Sequence, residues 1–288
     1  MSAGAELVLN GVFLGALYAL FGLGLSLAFG IMKIINLAHG DFIVVAAFIA
    51  TSATALAGIN PYLALLIVVP AMAVLGYLLQ GCILNHVVGR GVLPPLLLTF
   101  GLSIIIQNSL QELFSADTRG LRAGPLVQAS ITIGPISIGV FPLLIAAISL
   151  AVFGLTHFII SRTSIGWTLR AVADDQATAR LMGINDRRVF AFAMAFVFAL
   201  IGIAGVFYGM RTPFSPSAGP ERLLFAFETV VLGGLGSIWG TFLGGLVLGV
   251  AQVLGQQVNT GLGQFAGHLV FFAALLLRPQ GLFAKSAA

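Results

Sequence analysis

Residues 189–209 read VFAFAMAFVFALIGIAGVFYG, a run of 21 residues without a charged side chain. A membrane-spanning helix needs about 20 predominantly apolar residues, so this run predicts a helix that crosses a lipid bilayer. The stretch directly before it, residues 162–188, is opposite in character. It holds eight of the 22 charged residues of the chain, and five of these eight are arginines. The two segments together predict a membrane protein with one large polar loop between its spans.

The composition of the whole chain agrees with a membrane environment. Hydrophobic residues make up 59% and charged residues 8% of the 288 residues, whereas soluble domains carry about 25% charged residues. The length suffices for roughly eight to ten membrane helices, in one transmembrane domain over residues 1–288. The predicted fold is an all-α, polytopic helix bundle. The net charge of +4 does not indicate nucleic-acid binding, because the basic residues lie mainly beside predicted spans.

Apolar runs bounded by polar, Gly or Pro residues give nine candidate spans. They are 7–30, 42–58, 61–84, 93–114, 141–160, 189–209, 222–238, 240–257 and 262–277. The run VLGGLGSIWGTFLGG at 231–245 joins two of them and also fits a broken or re-entrant element. Such an element is tolerated in a membrane only where protein surrounds it.

Lysines and arginines in short loops predict the orientation, because cytoplasmic loops are enriched in them. With nine spans and the N-terminus outside, four basic groups lie in the cytoplasm: Lys33, Arg90, the 162–188 loop, and Arg278 with Lys285. Four arginines are exceptions on the outer side: Arg119, Arg122, Arg211 and Arg222. The segment 115–140 is then an external loop. Its Gly, Ser, Thr and β-branched residues indicate an ordered loop with a short hairpin.

Glycines recur at the spacing that lets membrane helices pack closely. The pairs are Gly11 with Gly15, Gly240 with Gly244, and Gly245 with Gly249; Ala19, Gly22, Ser26 and Gly30 extend the face of the first span. The pattern fits ordinary packing in a bundle, and it also fits helices that lean on one another during a transport cycle.

Polar residues in the fourth span recur every four positions and therefore share one helix face. They are Thr99, Ser103, Gln107 and Gln111, with Asn108 beside them. Such residues either hydrogen-bond neighbouring helices or line a substrate path. The ionisable His39, Asp41 and Glu228 lie at or near span ends or interiors. We take six residues as candidates for a translocation path: Thr99, Ser103, Gln107, Asn108, His39 and Glu228.

Catalytic and cofactor motifs are missing from the sequence. It contains no GxxxxGK[ST] phosphate-binding loop, no HExxH, no GxSxG and no cluster of Cys and His. We therefore do not expect the chain to be an enzyme, to hydrolyse ATP itself, or to bind a metal or cofactor of its own.

The polar loop contains the helix-forming segment TLRAVADDQATARLMGI, which Gly183 would allow to turn sharply. A short helix at the membrane surface is predicted here. The pattern alone fits two roles equally: a docking element for another protein, or an amphipathic interfacial helix without a partner.

Several stretches of the chain resemble one family of proteins. INLAHGDF at 35–42 resembles the first signature of the branched-chain amino acid family of ABC-transporter permeases, and GWTLRAVADDQATARLMGIN at 166–185 resembles the cytoplasmic coupling loop of that family. Within this loop, Ala177-Thr178-Ala179 and Gly183 are similar to the EAA-xxx-G element of importer permeases, without its leading acid. FETVVLGGLGSIWGTFLGG at 227–245 and RPQGLF at 278–283 resemble two further family blocks.

The resemblance implies a bacterial plasma (inner) membrane importer, in which this chain corresponds to the shorter of two homologous permeases. Its partners would be the second permease, an external solute-binding protein and two cytoplasmic ATPases, which bind ATP and Mg. The implied coupling residues are Leu169, Arg170, Val172, Asp174, Asp175, Ala177, Ala179, Arg180, Leu181 and Gly183. Among them, the four charged side chains would contact an ATPase groove, and Leu169, Val172 and Leu181 would fill it.

Other functions remain open at the level of sequence. The same family pattern serves leucine, isoleucine and valine, and also urea, short amides and aromatic acids. An ion-coupled secondary transporter is an alternative of another class, since Glu228 and Asp41 are acidic residues of the kind that bind coupling ions. A membrane scaffold or assembly subunit without a solute path is a third.

Overall fold

The computed structural model describes residues 2–134 and 136–282, which form eleven α-helices and one two-stranded sheet. The helices are α1 (Ser2–Met32), α2 (His39–Ala57), α3 (Leu65–Cys82), α4 (Leu93–Phe114), α5 (Val140–Arg162), α6 (Ser164–Asp174), α7 (Gln176–Leu181), α8 (Asp186–Arg211), α9 (Gly219–Gly233), α10 (Ile238–Val258) and α11 (Leu262–Leu277). The strands are β1 (Ser130–Ile133) and β2 (Ile136–Gly139). Lys285 and Phe283, the last residue of RPQGLF, lie outside the described residues.

Seven helices in the described part of the chain are long and apolar enough to cross a bilayer. They are α1, α2, α3 with the turn that follows it, α4, α5, α8 and α10. α11 is also apolar, with 16 residues. The prediction of an all-α, polytopic membrane bundle is therefore confirmed.

The predicted span 222–238 has a different form. Its helix, α9, has 15 residues, and glycines with positive φ follow it, Gly234 at +94° and Gly236 at +81°. Glycine adopts such angles without a steric penalty, so the chain can reverse at once into α10. The run VLGGLGSIWGTFLGG is thus a helix end, a tight turn and a helix start. The amide of Leu282 donates to the carbonyl of Leu232 at 2.8 Å, which ties the end of the described chain to α9.

α1 is the central helix, and its closest neighbour is α10. A Cβ added at Gly15 would overlap the backbone of Gly245, and one at Gly249 would overlap that of Gly11 and Gly15. The backbones of the two helices are therefore in direct contact, as the glycine spacing predicted. Gly244 makes an equally close approach to α9.

α1 and α8 run antiparallel in the centre of the bundle. Gly24 of α1 lies against Val197 and Ile201 of α8, whereas Phe21, nearer the start of α1, packs edge-on against Tyr208, nearer the end of α8. The C-terminal ends of these two helices therefore lie at opposite ends of the bundle.

Both helices are followed by an irregular segment that turns back inward. Segment 33–38 follows α1 and leads to His39 at the start of α2, whose Nε2 donates to the carbonyl of Phe21 at 2.8 Å. Segment 212–218 follows α8 and leads to Gly219 at the start of α9, where a Cβ would overlap Asp41. The N-termini of α2 and α9 therefore meet inside the bundle, near the middle of α1.

The loop 115–140 forms the predicted hairpin, since β1 and β2 pair antiparallel. Arg119 and Phe214 exchange two backbone hydrogen bonds of 2.8 Å, and the amide of Leu121 donates to Gly209 near the end of α8. The loop therefore lies at the C-terminal end of α8. The polar loop 162–188 precedes α8, so the two loops lie at opposite ends of the bundle.

Candidate functional site

The polar loop between α5 and α8 contains two short helices, α6 and α7, in place of the single helix that the sequence predicted. Asp175 separates them. Its Oδ1 accepts from the amides of Ala177 at 2.9 Å and Thr178 at 3.1 Å, and its Oδ2 accepts from the Thr178 hydroxyl at 2.5 Å. Asp175 is thus the N-cap of α7. The Thr178 hydroxyl and these amides hold the pKa of the Asp175 carboxyl below its usual value.

α7 ends in a turn that a strong ion pair closes. Gly183 has a φ of +81°, which confirms the sharp turn predicted at this glycine. Arg180 donates to both carboxylate oxygens of Asp186, at 3.1 and 2.7 Å, across that turn. These hydrogen bonds raise the pKa of Arg180 above its usual value. The Arg180 guanidinium is therefore bonded within its own chain while its side chain stays 60% exposed, and its contact with an ATPase stays a prediction.

The inner side of the two helices is apolar and packs on the bundle. Leu169 (4% exposed), Val172 (0%) and Ala179 (4%) are buried within this chain. Gly166 lies directly on the backbone of Ile160 at the end of α5. Leu169 and Val172 were expected to fill a partner's groove; in the structure their side chains pack inside this chain instead.

The outer side presents a different set of residues. Leu181 is 88% and Met182 79% exposed, and these two adjacent side chains form an apolar tip at the end of α7. Ala177 in α7 and Asp174 at the end of α6 are also exposed. Exposed apolar side chains of this kind are candidates for contact with another protein or with the membrane surface.

A cleft of about 550 Å³ separates α6 from the ends of α1 and α5 and from the turn between α9 and α10. Lys33, Arg170 and Asp174 line it, together with His157 and Trp239. Arg170 therefore faces this cleft, on the side of α6 that looks toward the bundle.

The polar face of α4 lies partly inside the bundle. Thr99 (0% exposed) and Ser103 (7%) are buried, Gln107 is half-buried, and Asn108 is exposed. The Gln107 side-chain amide donates to the Ser103 hydroxyl at 3.0 Å. Asn108 donates to the carbonyl of Ile104 on its own helix at 2.8 Å. The four residues therefore run from the interior to the surface along one helix.

Thr99 and His39 hold the inward-turning segment 33–38 in place. The Thr99 hydroxyl accepts from the amide of Leu37 at 3.1 Å and donates to the carbonyl of Pro95 at 2.8 Å. His39 is 1% exposed, and its ring is bonded to Phe21 of α1. Both side chains thus have structural partners at the centre of the protein.

Asp41 is the residue that the structure adds to this group. It is 1% exposed, and neither carboxylate oxygen has a hydrogen-bond partner of acceptable geometry among the described residues. The side chains of Ser103 and Gln107 lie beside it. Sequence reasoning noted Asp41 as ionisable, but nothing in the spacing connected residue 41 with residues 103 and 107 on another helix.

Glu228 does not join this group. It lies nine residues after Gly219 on α9, and its Oε1 accepts from Nδ1 of His268 on α11 at 2.5 Å. The ring of Phe225 stacks on His268 at a centroid distance of 6.0 Å. The residues predicted to line one path therefore lie in two places. One is the polar face of α4 with the adjacent start of α2, and the other is the contact between α9 and α11.

Comparison with known proteins places these features in a family. The model of the family described as branched-chain amino acid transport system, permease component, matches residues 7–277. The chain belongs to this permease family. All eleven helices and both candidate sites lie, wholly or almost wholly, within the matched range.

Individual relatives agree with that result. The chain is 32% identical to the high-affinity branched-chain amino acid transport system permease protein BraD of Pseudomonas aeruginosa, over 96% of this chain and 95% of that protein. It is 30% identical to LivH of Escherichia coli K12, over 96% and 94%. LivM of the same organism is 27% identical over 92% of this chain and 67% of that protein. No solved structure matches the chain.

Two of the stretches that carry the family resemblance touch each other in the structure. Gly281 of RPQGLF has a φ of +90°, and a Cβ there would lie 2.6 Å from the amide nitrogen of Gly234 in the turn between α9 and α10. The permease family blocks at 227–245 and 278–282 therefore form one closely packed corner. The turn between α9 and α10 also lines the cleft beside α6, so these packed segments lie between the polar loop and α9.

Proposed function

We propose that this chain is a permease subunit of an ATP-binding-cassette importer for branched-chain or related amino acids. It forms half of the translocation path beside a second, LivM-type permease. Two cytoplasmic ATPases bind ATP and Mg and provide the energy, and an external solute-binding protein delivers the amino acid. The observation that carries the proposal is the pair α6 and α7, a rigid and exposed projection on a family permease that otherwise consists of apolar helices.

The orientation follows from the distribution of charge. The loop 162–188, with five arginines, is placed in the cytoplasm, and the loop 115–140 is placed outside, together with the N-terminus. The separation of the two loops at opposite ends of the bundle supports this assignment. The ATPases then meet α7 from the cytoplasm, and the solute-binding protein meets the hairpin side.

Coupling requires that movement of the ATPases reaches the membrane helices. In our proposal Leu181 and Met182 enter a groove on an ATPase, and Asp174, Asp175 and Ala177 surround them. The force passes into α8 through the bond between Arg180 and Asp186, and into α1 and α5 through the buried side of α6. The apolar tip provides affinity, whereas the caps and the ion pair provide stiffness.

The translocation path is assigned to the polar face of α4, with Ser103, Gln107 and Asn108 toward the solute. Thr99 and His39 support it from behind, through their bonds to the segment around residue 37 and to α1. Closure of the ATPases rocks the permease pair, and access to this face changes from outside to inside. Selectivity is left largely to the external binding protein. Glu228 with His268 stands apart, as a polar contact between α9 and α11.

The first test is reconstitution. The chain is co-expressed with the permease, ATPases and binding protein encoded beside its gene, purified in mild detergent and placed in liposomes. We expect the four kinds of subunit to co-purify and uptake of radiolabelled leucine to require ATP inside the vesicles. Uptake that continues without ATP and stops on addition of an ionophore would instead indicate the ion-coupled transporter. Assembly without any flux would indicate a scaffold.

A second test addresses coupling. Gly183→Pro removes the positive φ that the turn after α7 requires, because proline is fixed near −65°. We expect ATP hydrolysis to continue while leucine uptake per ATP falls. Gly58→Pro is the matched control, since Gly58 also has a positive φ, +61°, with open space around it at the end of α2. Equal coupling in both variants would contradict the assignment of α7.

A further inference from the structure

The Asp41 carboxylate is a buried ionisable group in the membrane-embedded part of the protein. Its side chain is 1% exposed, and neither oxygen makes a hydrogen bond of acceptable geometry with the described residues, although the side chains of Ser103 and Gln107 lie beside it. It stands in the first turn of α2, which begins beside the middle of α1. An ionisable side chain at membrane depth is costly, and proteins keep one there when it binds or moves something.

Two helix ends offset part of the cost of burying a charged Asp41 carboxylate. Its own helix begins two residues earlier, and a second helix, α9, begins at Gly219 directly against it. A helix N-terminus carries partial positive charge, so both ends stabilise an anion. The starts of α2 and α9 can lie this close because Gly40 has no side chain: a Cβ there would lie 2.5 Å from the amide nitrogen of Leu223. The close approach of these two helix ends is therefore the feature that stabilises the anionic form of Asp41 inside the bundle.

The other groups around the carboxylate offer further oxygen atoms. The Ser103 hydroxyl and the Gln107 side chain lie beside it. The Gln107 amide nitrogen donates one of its two hydrogens to the Ser103 hydroxyl, and the Gln107 carbonyl oxygen is a further acceptor in the same place. A carboxylate, a hydroxyl and an amide oxygen together are ligands for a positively charged group.

We propose that Asp41, Ser103 and Gln107 form an intramembrane site for a positively charged group of the passing solute, the α-ammonium of an amino acid. This proposal rests on the proposed function, since it assigns the α4 face to the path. It makes a choice among the possible cargoes. An amino acid carries an ammonium group, urea and short amides carry no charge, and aromatic acids without an amino group are anions that Asp41 would repel.

Access to the site depends on α4. This helix covers Asp41, yet its main packing contacts are limited to α2 and the turn at 216–218. Large side chains along its other side, among them Phe100, Ile104 and Ile105, are exposed. In this proposal a displacement of α4 opens the side of Asp41 that does not face α9. The α4 helix acts in this proposal as the movable wall of the path.

The experiment reports the local charge directly. In the reconstituted importer, Cys82→Ser removes the single cysteine of the chain, and Ser103→Cys places a thiol beside Asp41. During ATP-driven turnover the thiol is treated with a cationic aminoethyl or an anionic sulfonatoethyl methanethiosulfonate reagent. We expect the cationic reagent to react faster, and Asp41→Asn to reduce its advantage about tenfold, as expected for the loss of one charged contact. Glu112→Gln, which removes an exposed carboxylate at the end of α4, should leave the ratio unchanged.

Adding different solutes during the labelling then shows which positively charged group occupies the site. Leucine should slow the cationic labelling, whereas 4-methylpentanoate, which lacks the ammonium group, should not. Protection that requires sodium and persists without leucine would assign the site to an alkali cation, the other source of the same charge. Asp41→Asn should also lower leucine uptake about tenfold, and Asp41→Glu should restore part of it.

Three results would overturn the proposal. They are a Ser103→Cys thiol that stays unreactive during turnover, equal reaction with both reagents, and unchanged uptake by Asp41→Asn. ATP dependence of uptake is measured in the same vesicles. If uptake requires ATP but Asp41→Asn behaves like the parent, the cation site is wrong and the importer assignment stands. If uptake is independent of ATP, the proposed function itself fails.

Discussion

The loop around α6 and α7 and the meeting point of α2 and α9 satisfy their polar groups in opposite ways. In the loop, Asp175 caps α7 and Arg180 is bonded twice to Asp186, so the main charged groups have partners within the chain, although they lie at the surface. At the meeting point, Asp41 is almost completely buried and has none. Surface charges cost little when unpaired, whereas buried ones cost much. The paired charges therefore indicate that the loop is stiff. The Asp41 carboxylate, which lacks such a partner, is instead available to bind a group from outside the chain.

We expect the largest loss of stability when the close contact between α2 and α9, beside Asp41, is disturbed. Gly40→Ala places a methyl group against the backbone of Gly219 and Leu223, which cannot move away as a side chain can. We expect overpacking of this kind to destabilise the protein by about 1–3 kcal/mol or more. The measurement is thermal unfolding of the purified subunit in detergent.

Gly101→Ala is the control for that change. It is the same substitution in α4, where a Cβ meets nothing within 4 Å. Alanine is a better helix former than glycine, so this variant should unfold at the same or a higher temperature. Equal destabilisation by both substitutions would contradict the close contact.

The next largest effect tests whether the loop acts on a partner. Leu181→Glu with Met182→Glu alters two exposed side chains, so the unfolding temperature should not change. We expect ATPase binding to fall more than tenfold, since burial of a large apolar side chain contributes about 1.5–3 kcal/mol. Co-purification of the ATPases and leucine uptake provide the measurement. Leu126→Glu with Val127→Glu, a partly exposed pair at the other end of the bundle, should retain both.

A smaller effect concerns the stiffness of the turn after α7. Arg180→Asp breaks the pair with Asp186, and we expect uptake per ATP to fall about fivefold, the order of effect of a partly exposed, bidentate ion pair. The charge swap Arg180→Asp with Asp186→Arg should recover most of that loss. If the swap is no better than the single change, the pair does not transmit force.

The smallest effect is a dependence of the α7 cap on pH. The pKa of Asp175 in the folded protein lies below its ordinary value of 3.8. The cap is therefore complete above that ordinary value and is lost only as the pH falls through the lower, folded pKa. Hydrogen exchange at the amides of Ala177 and Thr178 should show constant protection from neutral pH down to that range. Asp175→Asn, which keeps a capping oxygen, should remove the pH dependence without removing the protection.

The helix bundle could be predicted from the sequence because the length of an apolar run can be read directly along the chain. Runs such as 93–114 and 262–277 appear in the structure with the same limits, as α4 and α11. The hairpin in 115–140 and the turn at Gly183 were also predicted, since glycine and β-branched residues determine local backbone geometry. The glycine pairs of α1 and α10 were predicted as packing positions, and they do contact each other.

The site could be predicted only in part, because its contacts join residues that are far apart in the chain. Asp41 lies beside Ser103 and Gln107 only because segment 33–38 turns back into the bundle, and no periodicity reveals such a turn. Arg180 and Asp186 lie six residues apart across a glycine turn, a spacing that no helix would bring together. Leu169 and Val172 are apolar like Leu181, and only the packing of α6 decides which of them are buried.

The exposed tip at Leu181 and Met182 has a consequence for biogenesis. A subunit synthesised in excess of its neighbours displays two uncovered apolar side chains on an otherwise polar loop, which is the feature that chaperones and quality-control proteases recognise. If the proposed ATPase covers this tip, cells that make the protein should keep the two subunits in fixed stoichiometry. Orphaned copies should be short-lived, and their half-life should lengthen when the covering subunit is supplied.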